Sequence, residues 1–138
     1  MGLELGNGAA ITVRPYEDRD FERIQRLNEA EGWNGLVERY SDTRAAWEHL
    51  NIAFVTEQDG RINGCIRGMT DGYITLYICE LLIDEAHRGW GIGSALLQHV
   101  HRLYPKTRIE LLASSTSRTF YEAQGYRPFY GFRKTIDE

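Results

Sequence analysis

The spacing of apolar residues changes several times along the chain, and each change marks a new element. After the β-branched run AITV (Ala10–Val13), Phe21, Ile24 and Leu27 fall at i, i+3, i+6, the apolar stripe of a helix. Asp18 and Asp20 ahead of it suit the positive helix N-terminus, and Gly32 ends it. LVERYSDTRAAWEHLN (36–51) predicts a second helical stretch, broken near Ser41-Asp42 where a new N-cap is available. Residues 52–84 then change character. IAFVTEQDGRINGCIRGMTDGYITLYICELLID holds three strand-like runs separated by the turn signals Asp59-Gly60 and Asp71-Gly72. The third run, Tyr73–Ile83, reads as the longest, and its ending ELLI predicts burial on both faces. Ile92, Leu96, Val100 and Leu103 lie on one face of a helix that Tyr104-Pro105 closes. RIELLA (108–113) predicts a strand, SSTSRTFYEAQG (114–125) a short helix ending at Gly125, and YRPFYGF (126–132) a last strand.

The order is therefore β-α-α-β-β-β-α-β-α-β. An antiparallel meander followed by a right-handed β-α-β crossover gives an α/β fold of the mixed (α+β) kind, with helices packed on a mixed sheet. MGLELGNGAA (1–10) reads as a weakly ordered lead-in to a single domain over 11–138.

Composition narrows the partners. A chain of 138 residues with 42% hydrophobic and 26% charged residues suits one globular domain. A net charge of -4 exerts no long-range pull on nucleic acid or on an anionic membrane. No apolar run reaches membrane-span length and no signal-peptide apolar region opens the chain, so a cytoplasmic protein without nucleic-acid or membrane partners is expected. Cys65 and Cys79 are too few for a disulfide framework and lack metal spacing. A disulfide across the Asp71-Gly72 hairpin is geometrically conceivable, but a reducing compartment favours two buried thiols. His99 and His101 point to different helix faces, and His49 and His87 stand alone, so no metal site is expected.

The segment EAHRGWGIGSALLQHV (85–100) raises the chemical question. Gly89, Gly91 and Gly93 alternate behind Arg88 and ahead of a leucine-rich helix, although each glycine costs backbone entropy. In one reading the glycines free main-chain N–H groups at a helix N-terminus for an anion, with Arg88 adding positive charge. In the other they are small residues that let a helix pack closely on the sheet. A P-loop is excluded because no lysine follows, and the third glycine comes one residue early for a Rossmann fingerprint.

HRGWGIGSALL resembles the acyl-CoA-binding motif of the GNAT superfamily of N-acetyltransferases, Q/R-x-x-G-x-G/A, with Arg88, Gly91 and Gly93 at its defined positions. ITVRPYEDRDFERI is similar to that family's opening strand and helix, ELLIDEAHRG to its fourth strand and exit loop, and RTFYEAQGY to its C-terminal FYexxGF segment. Two departures stand out: Trp90, where a small or basic residue is more usual, and a short tail after Gly131.

The resemblance implies a largely antiparallel central sheet with helices on both faces, and acetyl-CoA as cosubstrate. Its pyrophosphate would rest on the amides of Arg88, Gly89, Trp90, Gly91, Ile92, Gly93 and Ser94. Its pantetheine arm would pair with Leu81, Leu82 and Ile83 in a gap between splayed strands. An N–H near Leu82 would face the thioester oxygen. Tyr121 matches the family's general acid, and a phenol with a pKa of about 10 can donate at neutral pH. The plainer alternative makes Phe120 and Tyr121 core aromatics. Glu80, on the strand face opposite Leu81 and Ile83, matches an acidic residue that serves some members as base. Its alternative is a structural carboxylate paired with an arginine.

For the acceptor, Trp33, Trp47, Phe129, Tyr130 and Phe132 would supply an aromatic lining. Glu31, Glu38 and Glu80 would draw a small cationic primary amine. A protein N-terminus or lysine is the alternative acceptor, and a non-catalytic acyl-CoA sensor the alternative function. Pairing into a homodimer, common in the family, is invited by the abbreviated C-terminus.

Overall fold

The computed structural model describes residues 1–138. Six strands lie side by side in chain order: β1 (Gly2–Glu4), β2 (Ala10–Pro15), β3 (Ile52–Gln58), β4 (Arg61–Thr70), β5 (Thr75–Ile83) and β6 (Arg108–Leu111). The first five pair antiparallel, and β6 runs parallel to β5 after the crossover helix α4 (Ile92–Leu103). Between β2 and β3 lie α1 (Phe21–Glu31), α2 (Asn34–Glu38) and α3 (Tyr40–His49), and α5 (Arg118–Ala123) follows β6. This is the mixed sheet that the period changes predict.

Helices cover both faces, which splits the core in two. On one face, Ile92, Leu96, Leu97 and Val100 of α4 pack with Ile11, Val13, Ile52, Ile66, Leu76 and Ile78 of the strands. On the other, Phe21, Ile24 and Leu27 of α1 and Trp47 of α3 pack with Val55, Ile62, Cys65 and Leu82. The burial of large apolar side chains against each sheet face is the main favourable term in holding the layers together. Leu103 ends the α4 stripe and is exposed. No helix is long and apolar enough to cross a membrane.

Four sequence expectations need correction. Residues 1–10 are not a loose lead-in: Leu3 pairs with Ile11 across the β1–β2 hairpin, and Leu5 is buried in the α4-side core. The N-terminal ammonium donates to the Val13 carbonyl at 2.7 Å. The break between the second and third helices falls at Arg39 (φ -85°, ψ 55°) rather than at Ser41-Asp42. There the Leu36 carbonyl accepts from the Thr43 hydroxyl at 2.6 Å and from Gln25 Nε2 at 3.2 Å, which fastens α2 to both neighbours.

The hairpin at Asp71-Gly72 is wider than two residues. Asp71 Oδ1 accepts from the N–H groups of Tyr73, Ile74 and Thr75, so β5 starts at Thr75 and its nine residues are outlasted by the ten of β4. YRPFYGF forms no strand. Pro128 has no N–H for a ladder, β6 offers only four residues, and Phe129, Tyr130 and Phe132 are exposed.

Candidate functional site

The site grows out of an irregularity in β5. Arg67 of β4 faces Glu80, yet the next residue, Gly68, faces Ile78, which leaves Cys79 as an unpaired bulge residue. Gly68 permits this crowding, since a Cβ there would lie 2.4 Å from the Tyr77 carbonyl oxygen. The extra residue reverses which side chains face which layer. Leu76 and Ile78 point into the α4-side core before the bulge, and Leu81 and Ile83 do so after it. Leu82 points into the α1-side core. Pairing with β6 stops at Ile78–Leu111, so Cys79 to Ile83 form a free strand edge over a gap.

The polar groups of that edge can be placed. The Asp84 N–H donates to the Asn63 carbonyl of the β3–β4 hairpin at 2.9 Å. By strand alternation the Leu82 amide also turns toward β4, and the amides of Leu81 and Ile83 turn outward into the gap. The Ile83 carbonyl points outward with its own N–H and accepts from Arg88 Nε at 3.2 Å. The outward N–H expected near Leu82 therefore belongs to its two neighbours.

From the end of β5, the Asp84 side chain accepts from the Ala86 N–H and starts a single helical turn at Glu85–His87. Gly89 (φ 82°) and Gly91 (φ 91°) then take left-handed conformations that favour glycine, and α4 begins at Ile92. The amides of Gly89, Trp90, Gly91, Ile92, Gly93 and Ser94 donate to no acceptor in the chain; the first helical bond is Ala95 N–H to Gly91 O at 3.0 Å. Six consecutive free donors at a helix start are an arrangement able to receive an anion. Gly93 does something else: a Cβ there would lie 3.1 Å from Phe120 Cζ and 3.7 Å from Leu81 Cδ2. The close-packing reading of the triple glycine applies at Gly93, while Gly89 and Gly91 leave main-chain amides without a partner in the chain.

Around this turn the side chains are committed. The Arg88 guanidinium ion-pairs with Glu31 at the end of α1, so its charge is shared rather than offered free to an anion. The Trp90 ring lies edge-on to His87, with centroids 4.6 Å apart, and packs against the α4-side core, away from the cavity wall. Ser94 Oγ donates to Gln124 Oε1 at 2.8 Å and joins α4 to the end of α5.

A cavity of about 1450 Å³ runs from the glycine turn along the free edge of β5 to α2. Tyr121 lines it, with burial first and Tyr126 second pushing its hydroxyl up to about 12. Glu80 lines it too, ion-paired with Arg67; their side chains are 13% and 14% exposed. Glu80 does have an arginine partner, and it also faces the cavity. Trp33 lines the α2 end of the cavity together with Leu36 and Thr43, whereas Trp47 is 2% exposed and stacked near Tyr16 in the core.

Tyr130 is 97% exposed and stands outside the cavity, which takes Gly131, Phe132 and Arg133 from the tail instead. Glu38 also lies outside the lining. Cys65 and Cys79 are both free. Burial pushes the Cys65 thiol up to about 12, and the half-buried Cys79 thiol upward as well. The sequence reading missed Arg67 altogether.

The sequence profile of the acetyltransferase (GNAT) domain matches residues 49–128. Among curated protein sequences nothing matches. Similar solved structures include a GNAT-family acetyltransferase from Streptococcus pneumoniae, 20% identical, with TM-score 0.76 over 93% of this chain and 99% of that one. A GCN5-related N-acetyltransferase from Ralstonia eutropha is 22% identical, with TM-score 0.68 over 93% of this chain and 99% of that one. An aminoglycoside acetyltransferase from an uncultured soil sample is 21% identical, with TM-score 0.68 over 91% and 98% of the two chains. At these identities the likeness is one of fold.

Proposed function

The chain belongs to the GNAT acetyltransferase family, and from that premise we propose that it moves an acetyl group from acetyl-CoA to the primary amine of a small molecule. The observation that carries this reading is the row of six free amides from Gly89 to Ser94, continuous with the outward amides of a strand edge that lacks its neighbour. A diphosphate fits the first and a pantetheine arm, with its own amide groups, fits the second. The bound coenzyme would supply the activated acetyl thioester; everything else is done by this chain.

Arg88 ties Ile83 to the phosphate end, so Leu81 lies deeper along the edge, and its N–H is the donor placed to stabilise the oxyanion as the carbonyl is attacked. Tyr121 hands its hydroxyl proton to the sulfur as the C–S bond breaks. Because burial pushes that hydroxyl up to about 12, the proton is present throughout the neutral range. Glu80, on the neighbouring side of the cavity, accepts the proton that the amine must lose, directly or through one water. Arg67 holds its carboxylate in place meanwhile.

Free-thiol release from acetyl-CoA with a panel of primary amines tests the proposal. Tyr121→Phe should lower kcat by about a hundredfold or more, the scale of a lost general acid. Affinity for acetyl-CoA should hold. An unchanged kcat would remove Tyr121 from proton transfer, and coenzyme binding with no thiol released by any amine would replace the enzyme with a sensor.

A further inference from the structure

The acceptor end of the cavity is electrically unlike a site for a plain cation. Three carboxylates line the cavity, and each meets an arginine: Glu31 with Arg88, Asp42 with Arg39, and Glu80 with Arg67. Arg133 of the tail lines it as well. No carboxylate there is free to attract a second positive charge on a substrate, whereas cationic donors are in surplus. The sequence-based expectation of an acidic pocket for a cationic amine therefore does not describe this cavity.

Arg67 and Glu80 sit where an acceptor must lie. Arg67 is two residues from Cys65 on β4, and Glu80 two residues from Leu82 on β5; Cys65 and Leu82 face each other and belong to the α1-side core. The Arg67–Glu80 pair therefore faces the α1–α3 side, lines the cavity that Trp33 and Leu36 also line, and adjoins the bulge where the free edge of β5 begins. One guanidinium nitrogen of Arg67 meets Glu80, while Nε is shut off from solvent and makes no hydrogen bond. A guanidinium this enclosed usually fills its donors, and a lone buried ion pair stabilises a fold little compared with apolar side chains of the same size. No hydrogen bond occupies Nη1, and because Arg67 lines the cavity this donor is better explained by a ligand that takes it from the cavity side.

Resting on the acetyl transfer proposed above, we propose that the acceptor is an α-amino acid with an apolar side chain, and that Arg67 is the residue that selects it by its carboxylate. A zwitterion matches the pair charge for charge: its carboxylate takes guanidinium donors of Arg67, and its ammonium faces Glu80. The ammonium gives one proton to Glu80 and becomes the neutral nucleophile. The nitrogen attacks the thioester carbonyl to form the N–C bond and the oxyanion. As the oxyanion collapses the C–S bond breaks, Tyr121 gives its proton to the departing sulfur and regains one from solvent, and the nitrogen's second proton leaves to solvent. Trp33, Leu36 and Phe132 give the side chain an apolar wall.

The test compares each amino acid with the amine left when its carboxylate is removed: phenylalanine against phenethylamine, and leucine against 3-methylbutylamine. Thiol release by the full chain is measured at saturating acetyl-CoA, and rates are normalised to the neutral-amine fraction. A charge-assisted contact of this kind predicts a kcat/KM at least about tenfold higher for the amino acid, mostly through KM. Arg67→Lys, which keeps the charge and loses the fork, should raise KM for the amino acid more than for its partner amine. Equal or better turnover of the bare amines would overturn the carboxylate-reading role and leave acetyl transfer standing. No turnover of any amine would overturn both.

Discussion

The two ends of the cleft are made of different material. At the glycine turn the groups proposed to hold the coenzyme are main-chain amides, and the nearby side chains of Arg88, Trp90 and Ser94 are tied to Glu31, His87 and Gln124. At the proposed acceptor end the groups are side chains, drawn from α2, β4, β5 and the tail. A site made of backbone depends on dihedral angles, so few residue types can build it and it leaves a short local signature. A site made of side chains depends on tertiary placement, and its members are scattered through the sequence.

That contrast can be broken at either end. The larger effect on coenzyme affinity should come from Gly91→Val. The residue sits at φ 91°, where a β-branched side chain is strained by roughly 1–3 kcal/mol. No neighbouring atom would clash with the new Cβ, so the effect acts through the backbone. If the strain turns the amides away from the anion, coenzyme affinity should fall by about ten- to a hundredfold in a calorimetric titration. Unchanged affinity would mean that the amide row does not hold the coenzyme. The smallest effect should come from Trp90→Ala in the same turn. Its ring faces His87 and the core, so affinity should stay within about twofold while the melting temperature drops by a few degrees. A large loss of affinity would show that the ring, and not only its amide, touches the coenzyme.

Much of this was legible beforehand for the same reason. The helical stripe of α1, that of α4 as far as Val100, and the turn at Asp59-Gly60 are local patterns, and these appear as the sequence predicts. Register was not legible. A two-residue turn at Asp71-Gly72 would set Arg67 opposite Leu76, but the Asp71-capped turn and the Cys79 bulge together set it opposite Glu80. Neither feature has a periodicity signal, which is why the arginine that neutralises Glu80 went unseen. The same shift sets Cys65 opposite Leu82 and removes the conceivable disulfide. Residues 1–10 were misjudged because glycines at three of the positions hide a hairpin whose leucines complete the core. The aromatic run in the tail looked like a strand, yet Pro128 and a four-residue β6 leave it no ladder to join.

The central claim is that the main chain from Gly89 to Ser94 receives the diphosphate of coenzyme A. Calorimetric titration of the folded chain with coenzyme A tests it most directly. The account predicts a saturable one-to-one binding heat that weakens as salt screens the phosphates. A flat titration at millimolar coenzyme, with the chain still folded, would contradict it.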